Sequence, residues 1–176
     1  MENESQLLRI DVKIASLNGR GFAQCCFVSQ DHVIGDFEQR MLLGSLGLAV
    51  GYLVDRIKKI PDFDFRSSRS IEEVFDGMSV SFLKAEFDFF EANNFSVCHE
   101  LKTDQFFALP LAIEAFDGEE AYVFKFEKQW RFVWRQWETK EVVHFSIDRN
   151  LLIQVLGTAL EVIRSEAGKN PASDAC

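Results

Sequence analysis

The segment that most constrains the fold of this chain is an aromatic block between Ala115 and Arg164. Large apolar side chains occupy every second position in three short runs within it: Tyr122, Phe124 and Phe126; Trp130, Phe132 and Trp134; and Val143, Phe145 and Ile147. A period of two is typical of a β-strand with one buried face. Only a short turn at residues 127–129 separates the first two runs, which predicts a hairpin followed by a third strand.

A helix is predicted to follow the third strand. Asp148 has the side chain expected of an N-cap residue, and apolar residues recur at helical spacing after it. The apolar side of this helix is predicted to hold Leu151, Val155, Ala159, Val162 and Ile163. The pattern ends there, so we expect a single domain over residues 1–167 and a frayed tail over residues 168–176.

The N-terminal third of the chain predicts a meander of strands and one long helix. Alternating apolar residues mark a strand at Leu8–Leu17, and Asn18–Gly21 has the composition of a hairpin turn. Further strands are expected at Phe22–Val28 and His32–Phe37. The helix is expected at Glu38–Lys59, with an apolar side formed by Leu42, Leu46, Ala49, Val50, Leu53 and Ile57.

Glycines interrupt the opposite side of this long helix. Gly44, Gly47 and Gly51 share one face, which indicates either a close approach by another backbone or glycines that only make room for packing. A second, shorter helix is expected at Ile71–Asp76, because Ser70 and Glu73 form a capping box and Gly77 suits a C-cap. Together these elements predict an α+β fold, with an antiparallel sheet and helices packed mainly on one face.

The charge of the chain restricts its partners. It has 19 basic and 28 acidic residues and a formal net charge of −9. Nucleic acids and anionic membranes attract clustered Lys and Arg, so we expect neither as a partner. An acidic surface suits a basic protein, and it equally suits plain solvation. The sequence shows neither a secretory signal nor the ~18 apolar residues of a membrane span, so we expect a cytoplasmic protein.

Residue types that carry chemistry are sparse in this chain. Cys98-His99 is the nearest approach to a metal site, but a structural zinc site needs four ligands at short spacings. Cys25 and Cys26 are expected to be small buried hydrophobes. The sequence has no nucleophile-elbow, thiol-protease or phosphate-loop signature. We therefore expect a binding protein with no catalytic residue, no metal and no cofactor, rather than an enzyme.

Acidic residues mix with aromatic rings in three places: Asp62–Phe65, Glu86–Glu91 and Phe116–Glu120. Aromatic side chains anchor protein interfaces, and charges steer the encounter. The alternative is that the rings enter the core while the acids face water. On the first interpretation, the candidate partner-binding residues are Asp62, Asp64, Glu86, Asp88, Asp117, Glu119 and Glu120.

Three motifs follow one another in an order that resembles a known family. Ile34-Gly35-Asp36 follows the first strand pair and precedes the leucine-rich helix. Glu114-Ala115-Phe116-Asp117-Gly118 precedes a strand, and Phe132-Val133-Trp134-Arg135 lies in the aromatic hairpin. This layout resembles the immunity proteins of bacterial polymorphic toxin systems, and it looks most like the α+β family called immunity protein 42.

The resemblance implies a protein that has a partner but no substrate. An immunity protein binds its cognate toxin in the cytosol and neutralises it. The acidic charge of this chain fits a basic toxin, and nuclease toxins are commonly basic. Two alternatives stay open at this point: an adaptor or chaperone for a secreted effector, and an enzyme that uses clustered carboxylates.

Overall fold

The alternating and helical patterns form nine strands and three helices in the computed structural model, which describes residues 8–29, 32–65, 70–84, 103–109 and 111–169. The strands are β1 (Arg9–Leu17), β2 (Arg20–Ser29), β3 (His32–Ile34), β4 (Met41–Leu42), β5 (Asp64–Phe65), β6 (Phe107–Leu109), β7 (Glu120–Phe126), β8 (Gln129–Arg135) and β9 (Val142–Ser146). The helices are α1 (Leu43–Lys59), α2 (Ile71–Lys84) and α3 (Arg149–Gly168). The predicted α+β class is confirmed.

The strands are divided between two sheets. In the N-terminal sheet, β1 pairs with β2 along its whole length, while β3 and β4 pair with the two ends of β2. The C-terminal sheet has the order β5-β7-β8-β9, and β6 also pairs with β7. Among the described strands, β5 and β7 are the one parallel pair, which makes the C-terminal sheet mixed.

The C-terminal sheet is buried on both faces at its centre. The Tyr122 ring packs against Phe75 of α2, with ring centroids 5.2 Å apart. The opposite face carries Phe132, whose ring lies 6.2 Å from that of Phe27 on the N-terminal sheet. The alternation predicted one buried face, and this expectation was wrong because α2 covers one face while the N-terminal sheet covers the other.

Helix α1 begins five residues later than predicted. Met41 and Leu42 pair with β2 as a short strand, so the helix starts at Leu43 rather than Glu38. Leu42 is consequently 51% exposed instead of buried. The rest of the predicted apolar side is confirmed as core: Leu46, Ala49, Val50, Leu53 and Ile57.

Helix α3 begins where it was predicted but buries a different side. Oδ1 of Asp148 accepts hydrogen bonds from the backbone N–H groups of Asn150 and Leu151, as expected of an N-cap. Leu151 and Val162 were expected in the core and are exposed. The helix packs against α1 and β1 through Leu152, Leu156 and Leu160, together with Ile163, whose predicted burial is confirmed.

The glycines of α1 make room for α3. A Cβ on Gly47 would lie 3.3 Å from Cγ2 of Ile163, and a Cβ on Gly51 would lie 3.8 Å from Cδ2 of Leu160. The packing interpretation is therefore confirmed for Gly47, whereas a Cβ on Gly51 would make only an ordinary van der Waals contact. Gly44 differs, since a Cβ there would have no described neighbour within 4 Å.

Helix α2 has the predicted start and a later end. The Ser70 N–H donates to Oε2 of Glu73 at 2.9 Å, and the Glu73 N–H donates to Oγ of Ser70 at 3.3 Å, which completes the capping box. The predicted stop at Gly77 was wrong, because the helix continues to Lys84. Its buried side continues through Met78 directly after the glycine, so packing carries the helix past the predicted stop.

Candidate functional site

Three segments that are far apart in the sequence line one cleft of about 730 Å³. They are the end of β3 with the loop after it, the turn before β7, and the end of β8 with the loop that leads to β9. The lining residues are Val33, Gly35, Asp36, Gln39, Glu114, Ala115, Asp117, Glu119, Trp134, Gln136, Trp137 and Glu138. We call this site the acidic cleft. Each of its three walls contains residues of one of the three sequence motifs.

The first two walls are joined by a backbone contact that needs a glycine. The N–H of Asp36 donates to the carbonyl oxygen of Ala115 at 2.7 Å. Gly35 has a φ of +94°, and a Cβ there would lie 2.6 Å from the Phe116 ring. L-residues with a side chain rarely adopt this conformation, and the ring leaves no space for one. The Ile34-Gly35-Asp36 motif is therefore a docking point for the turn before β7.

The floor of the cleft is a buried tryptophan. Trp134 on β8 is 2% exposed, and its indole N–H donates to Oε2 of Glu119. The ring of His32 lies edge-on to it, at 5.9 Å between centroids. A buried indole that has its hydrogen-bond partner is a rigid support. Glu119 is thus held in place by the floor while it lines the cleft.

The rim is a tight loop that carries an exposed tryptophan. The Gln136 N–H donates to the Glu141 carbonyl at 2.8 Å, and the Lys140 N–H donates to the Gln136 carbonyl at 2.9 Å. Trp137 within this loop is 59% exposed. Its ring lies directly over Gly118, where an added Cβ would come within 3.0 Å of it. The loop therefore presents an indole at the mouth of the cleft.

The cleft is acidic, and its carboxylates have no ion-pair partner among the residues that the structure describes. Five carboxylates line it, from Asp36, Glu114, Asp117, Glu119 and Glu138, and no Lys, Arg or His is among the described lining residues. In the described part of the chain, none of these five forms an ion pair with a basic side chain. Like charges in a concave site reinforce one another's field, so the cleft attracts cations.

The structure separates the predicted partner-binding acids into different environments. Asp117 and Glu119 line the acidic cleft. Glu120 is next to it but faces inward, accepting a hydrogen bond from the Tyr122 hydroxyl at 3.0 Å and lying 3.6 Å from Nε of Arg135. Glu86 and Asp88 lie outside the described residues.

The remaining two predicted acids are engaged at a different place, beside β7. Oδ1 of Asp62 is 2.7 Å from Nζ of Lys125, and Oδ1 of Asp64 accepts a hydrogen bond from the Lys128 N–H at 3.0 Å. We call this region the Asp62 edge. Because their charges already have partners in the chain, these acids are poor candidates for binding an external cation.

Sequence reasoning predicted two of the five acids that line the acidic cleft and missed the other three. Asp36, Glu114 and Glu138 were not predicted as site residues, and neither was Trp137. Asp36 and Glu114 do belong to the motifs that set the resemblance. Their convergence depends on β3 meeting the turn before β7, which is a contact between residues about 80 positions apart (Asp36 to Ala115).

The thiols and the histidines offer no catalytic arrangement in the described part of the chain. Cys25 and Cys26 are buried as expected, and burial raises the pKa of the Cys25 thiol to about 12, which makes it a poor nucleophile. The described residues contain no group of three or more potential metal ligands. Cys98 and His99 lie outside the described residues.

Comparison with known proteins adds no relatives. Protein-family models, curated proteins and solved structures contain no match to this chain. None of the described helices combines the length and hydrophobicity needed to cross a membrane. The site is therefore interpreted from its geometry and charge: a concave, acidic surface with a buried tryptophan floor and an exposed tryptophan rim.

Proposed function

We propose that this protein is an immunity protein that binds and neutralises a basic bacterial toxin through the acidic cleft. The observation that carries the proposal is the set of five carboxylates that line one cleft and form no ion pair with any described residue. Unpaired like charges repel one another and reduce the stability of the folded chain. A basic partner that bound in the cleft would neutralise these carboxylates and remove that repulsion.

The shape of the cleft suits a protein partner. Trp137 stands at the mouth with most of its ring accessible, and tryptophan is enriched among the residues that dominate interface energies. The surrounding acids raise the rate at which a basic surface arrives and orient it on arrival. Such steering favours rapid capture of a toxin.

The sequence resemblance supports the same proposal. The motifs that resemble immunity protein 42 are dispersed along the chain, yet each supplies part of one cleft. Motifs that only maintained the fold would have no need to meet at a surface site. A nuclease is the toxin class we favour, since enzymes that act on nucleic acid commonly carry a basic surface.

The test is co-expression with the toxin encoded next to this gene, measured by cell growth and by complex formation in solution. We expect protection by the wild-type chain and loss of protection by the double variant Asp117→Lys with Glu138→Lys. The matched control is Asp55→Lys with Glu161→Lys, which makes the same charge change at exposed helix positions outside the cleft. The control should protect like the wild type.

The outcomes separate the alternatives. If the wild-type chain neither protects nor forms a complex, the immunity proposal fails. A complex that forms without protection identifies an adaptor or chaperone instead. If the cleft variant protects as well as the control, the toxin binds elsewhere on the surface.

A further inference from the structure

The Trp137 ring at the mouth of the acidic cleft already carries one cation, and it comes from the chain itself. Nζ of Lys140 lies 3.7 Å from the centroid of the Trp137 ring. An ammonium group over the face of an indole is attracted by the ring's electron density. The rim loop fixes this contact, because its two ends are joined by the hydrogen bonds of Gln136. Lys140 thus occupies the aromatic cation position of the free protein.

A cation of the partner gains binding free energy at this ring only if it interacts with the site more favourably than Lys140 does. A lysine that replaced Lys140 would exchange one ammonium–indole contact for another, so the exchange itself would bring no advantage. An arginine differs in two respects. Its planar guanidinium stacks on an indole, and its five N–H donors reach carboxylates that lie beside the ring.

The carboxylates around Trp137 are placed for this second role. Glu138 follows Trp137 directly in the chain, and Asp117 precedes the glycine on which the ring lies. Both acids line the cleft, are exposed, and are without an ion-pair partner among the described residues. Two carboxylates that line the same cleft as the ring are therefore available as acceptors for a flat cation bound on the indole.

We propose that the acidic cleft receives an arginine side chain of its partner, which displaces Lys140 from the Trp137 ring. This inference rests on the proposed function, since it names the toxin group that enters the cleft. Lys140 acts as an internal competitor that holds the aromatic position until an arginine arrives. Its positive charge also selects against lysine, which gains least from the exchange.

The test uses two peptides instead of the toxin. Both are five residues long and blocked at both ends, with the sequence Gly-Ser-X-Ser-Gly, where X is arginine in one and lysine in the other. Each is titrated into the full-length protein at low salt, and the indole N–H signals are followed by nuclear magnetic resonance. We expect the arginine peptide to shift the Trp137 signal and to bind roughly three- to tenfold more tightly than the lysine peptide.

Three variants separate the roles of the ring and of the lysine. Trp137→Leu should remove the preference for arginine while leaving weak electrostatic binding of both peptides. Lys140→Gln should strengthen the binding of both peptides. The gain should be larger for the lysine peptide, so that the ratio of the two dissociation constants becomes smaller. The control Lys128→Gln removes the same charge at the other end of β8 and should leave the preference unchanged.

The inference is overturned if the wild-type protein binds both peptides equally, or if Trp137→Leu retains the full preference. It is also overturned if Lys140→Gln behaves like Lys128→Gln. The growth assay tests the proposed function independently of the peptides. If the wild-type chain protects cells but shows no preference for the arginine peptide, the immunity proposal stands and this inference is refuted. If the protein prefers the arginine peptide but does not protect cells, this inference stands and the immunity proposal is refuted, so the cleft binds the arginine of another partner.

Discussion

The acidic cleft and the Asp62 edge look alike in the sequence and differ in the fold. Both contain acids next to aromatic residues, and both were predicted as partner-binding surfaces. At the Asp62 edge, Lys125 and the Lys128 backbone already satisfy the acids. In the acidic cleft the acids converge without a basic partner among the described residues. An acid–aromatic pattern in the sequence therefore does not show whether the acids are paired in the fold, because pairing depends on residues that are distant in sequence.

The largest expected effect is the difference in stability between alanine substitutions at the two tryptophans of the cleft. Trp134→Ala removes a ring that is 2% exposed together with its hydrogen bond to Glu119, and should lower the free energy of unfolding by about 3–5 kcal/mol. Trp137→Ala removes an exposed ring and should cost less than about 1 kcal/mol. Urea unfolding followed by circular dichroism measures both. Wild-type stability of Trp134→Ala would show that this ring does not support the cleft.

The contact that assembles the cleft should give the next largest effect. In Gly35→Ala the new Cβ meets the Phe116 ring at a positive φ, so we expect a loss of about 2–4 kcal/mol in unfolding free energy. Gly19→Ala is the matched control, because its φ is also positive but no described atom lies within 4 Å of the new Cβ. It should lose about 1–2 kcal/mol, from backbone strain alone. Equal losses in the two variants would mean that the approach to Phe116 is not tight.

Association kinetics should distinguish the cleft from the Asp62 edge directly. Neutralising two cleft acids, with Asp117→Asn and Glu138→Gln, should slow binding of the toxin about tenfold at low salt and weaken its dependence on salt. Asp62→Asn should change the rate less than about twofold, since its charge is already offset by Lys125. Stopped-flow mixing gives both rates. A larger effect at Asp62 would reverse the assignment of the two regions.

The smallest expected effect lies at neither region and concerns His144 on β9. Partial burial, followed by nearby Arg131, lowers the pKa of this imidazole, and Glu72 on α2 opposes the shift. The folded state therefore binds the proton more weakly than the unfolded state, whose histidine titrates near about 6.5. The stability that the neutral ring provides is present above that pH and is lost as the pH falls below it.

His144→Gln should accordingly flatten the decline of unfolding free energy between pH 7.5 and pH 5.5, compared with wild type. The measurement is urea unfolding at several pH values in that range. An unchanged slope in the variant would show that His144 titrates alike in both states.

Much of the scaffold followed from local patterns. The aromatic alternation placed β7, β8 and β9 correctly, and the Asp148 cap and the Ser70–Glu73 box fixed two helix starts. These signals are local, because each is satisfied by residues a few positions apart. The later start of α1 and the later end of α2 were missed, since pairing of β4 with β2 and burial of Met78 decide them.

The site was only partly predictable for the same reason. Whether an acid is neutralised depends on a partner that is distant in sequence, as Asp62 and Lys125 show across 63 positions. Asp36 lies outside the acid–aromatic segments from which the candidate residues were predicted. Its position in the cleft depends on the contact of its backbone N–H with Ala115. The composition of the chain predicts that its surface is acidic, but the place where the unpaired acids converge depends on the topology of the fold.

Because the acidic cleft is assembled from three distant segments, a partner that binds there would bind the native state alone. An unfolded chain brings none of the three walls together, so it has no measurable share in binding. A ligand of this kind stabilises the fold by mass action, by about 2.7 kcal/mol when its free concentration is 100 times the dissociation constant. A newly made chain that captured its partner would become slower to unfold and harder to proteolyse, and the complex would outlast either component.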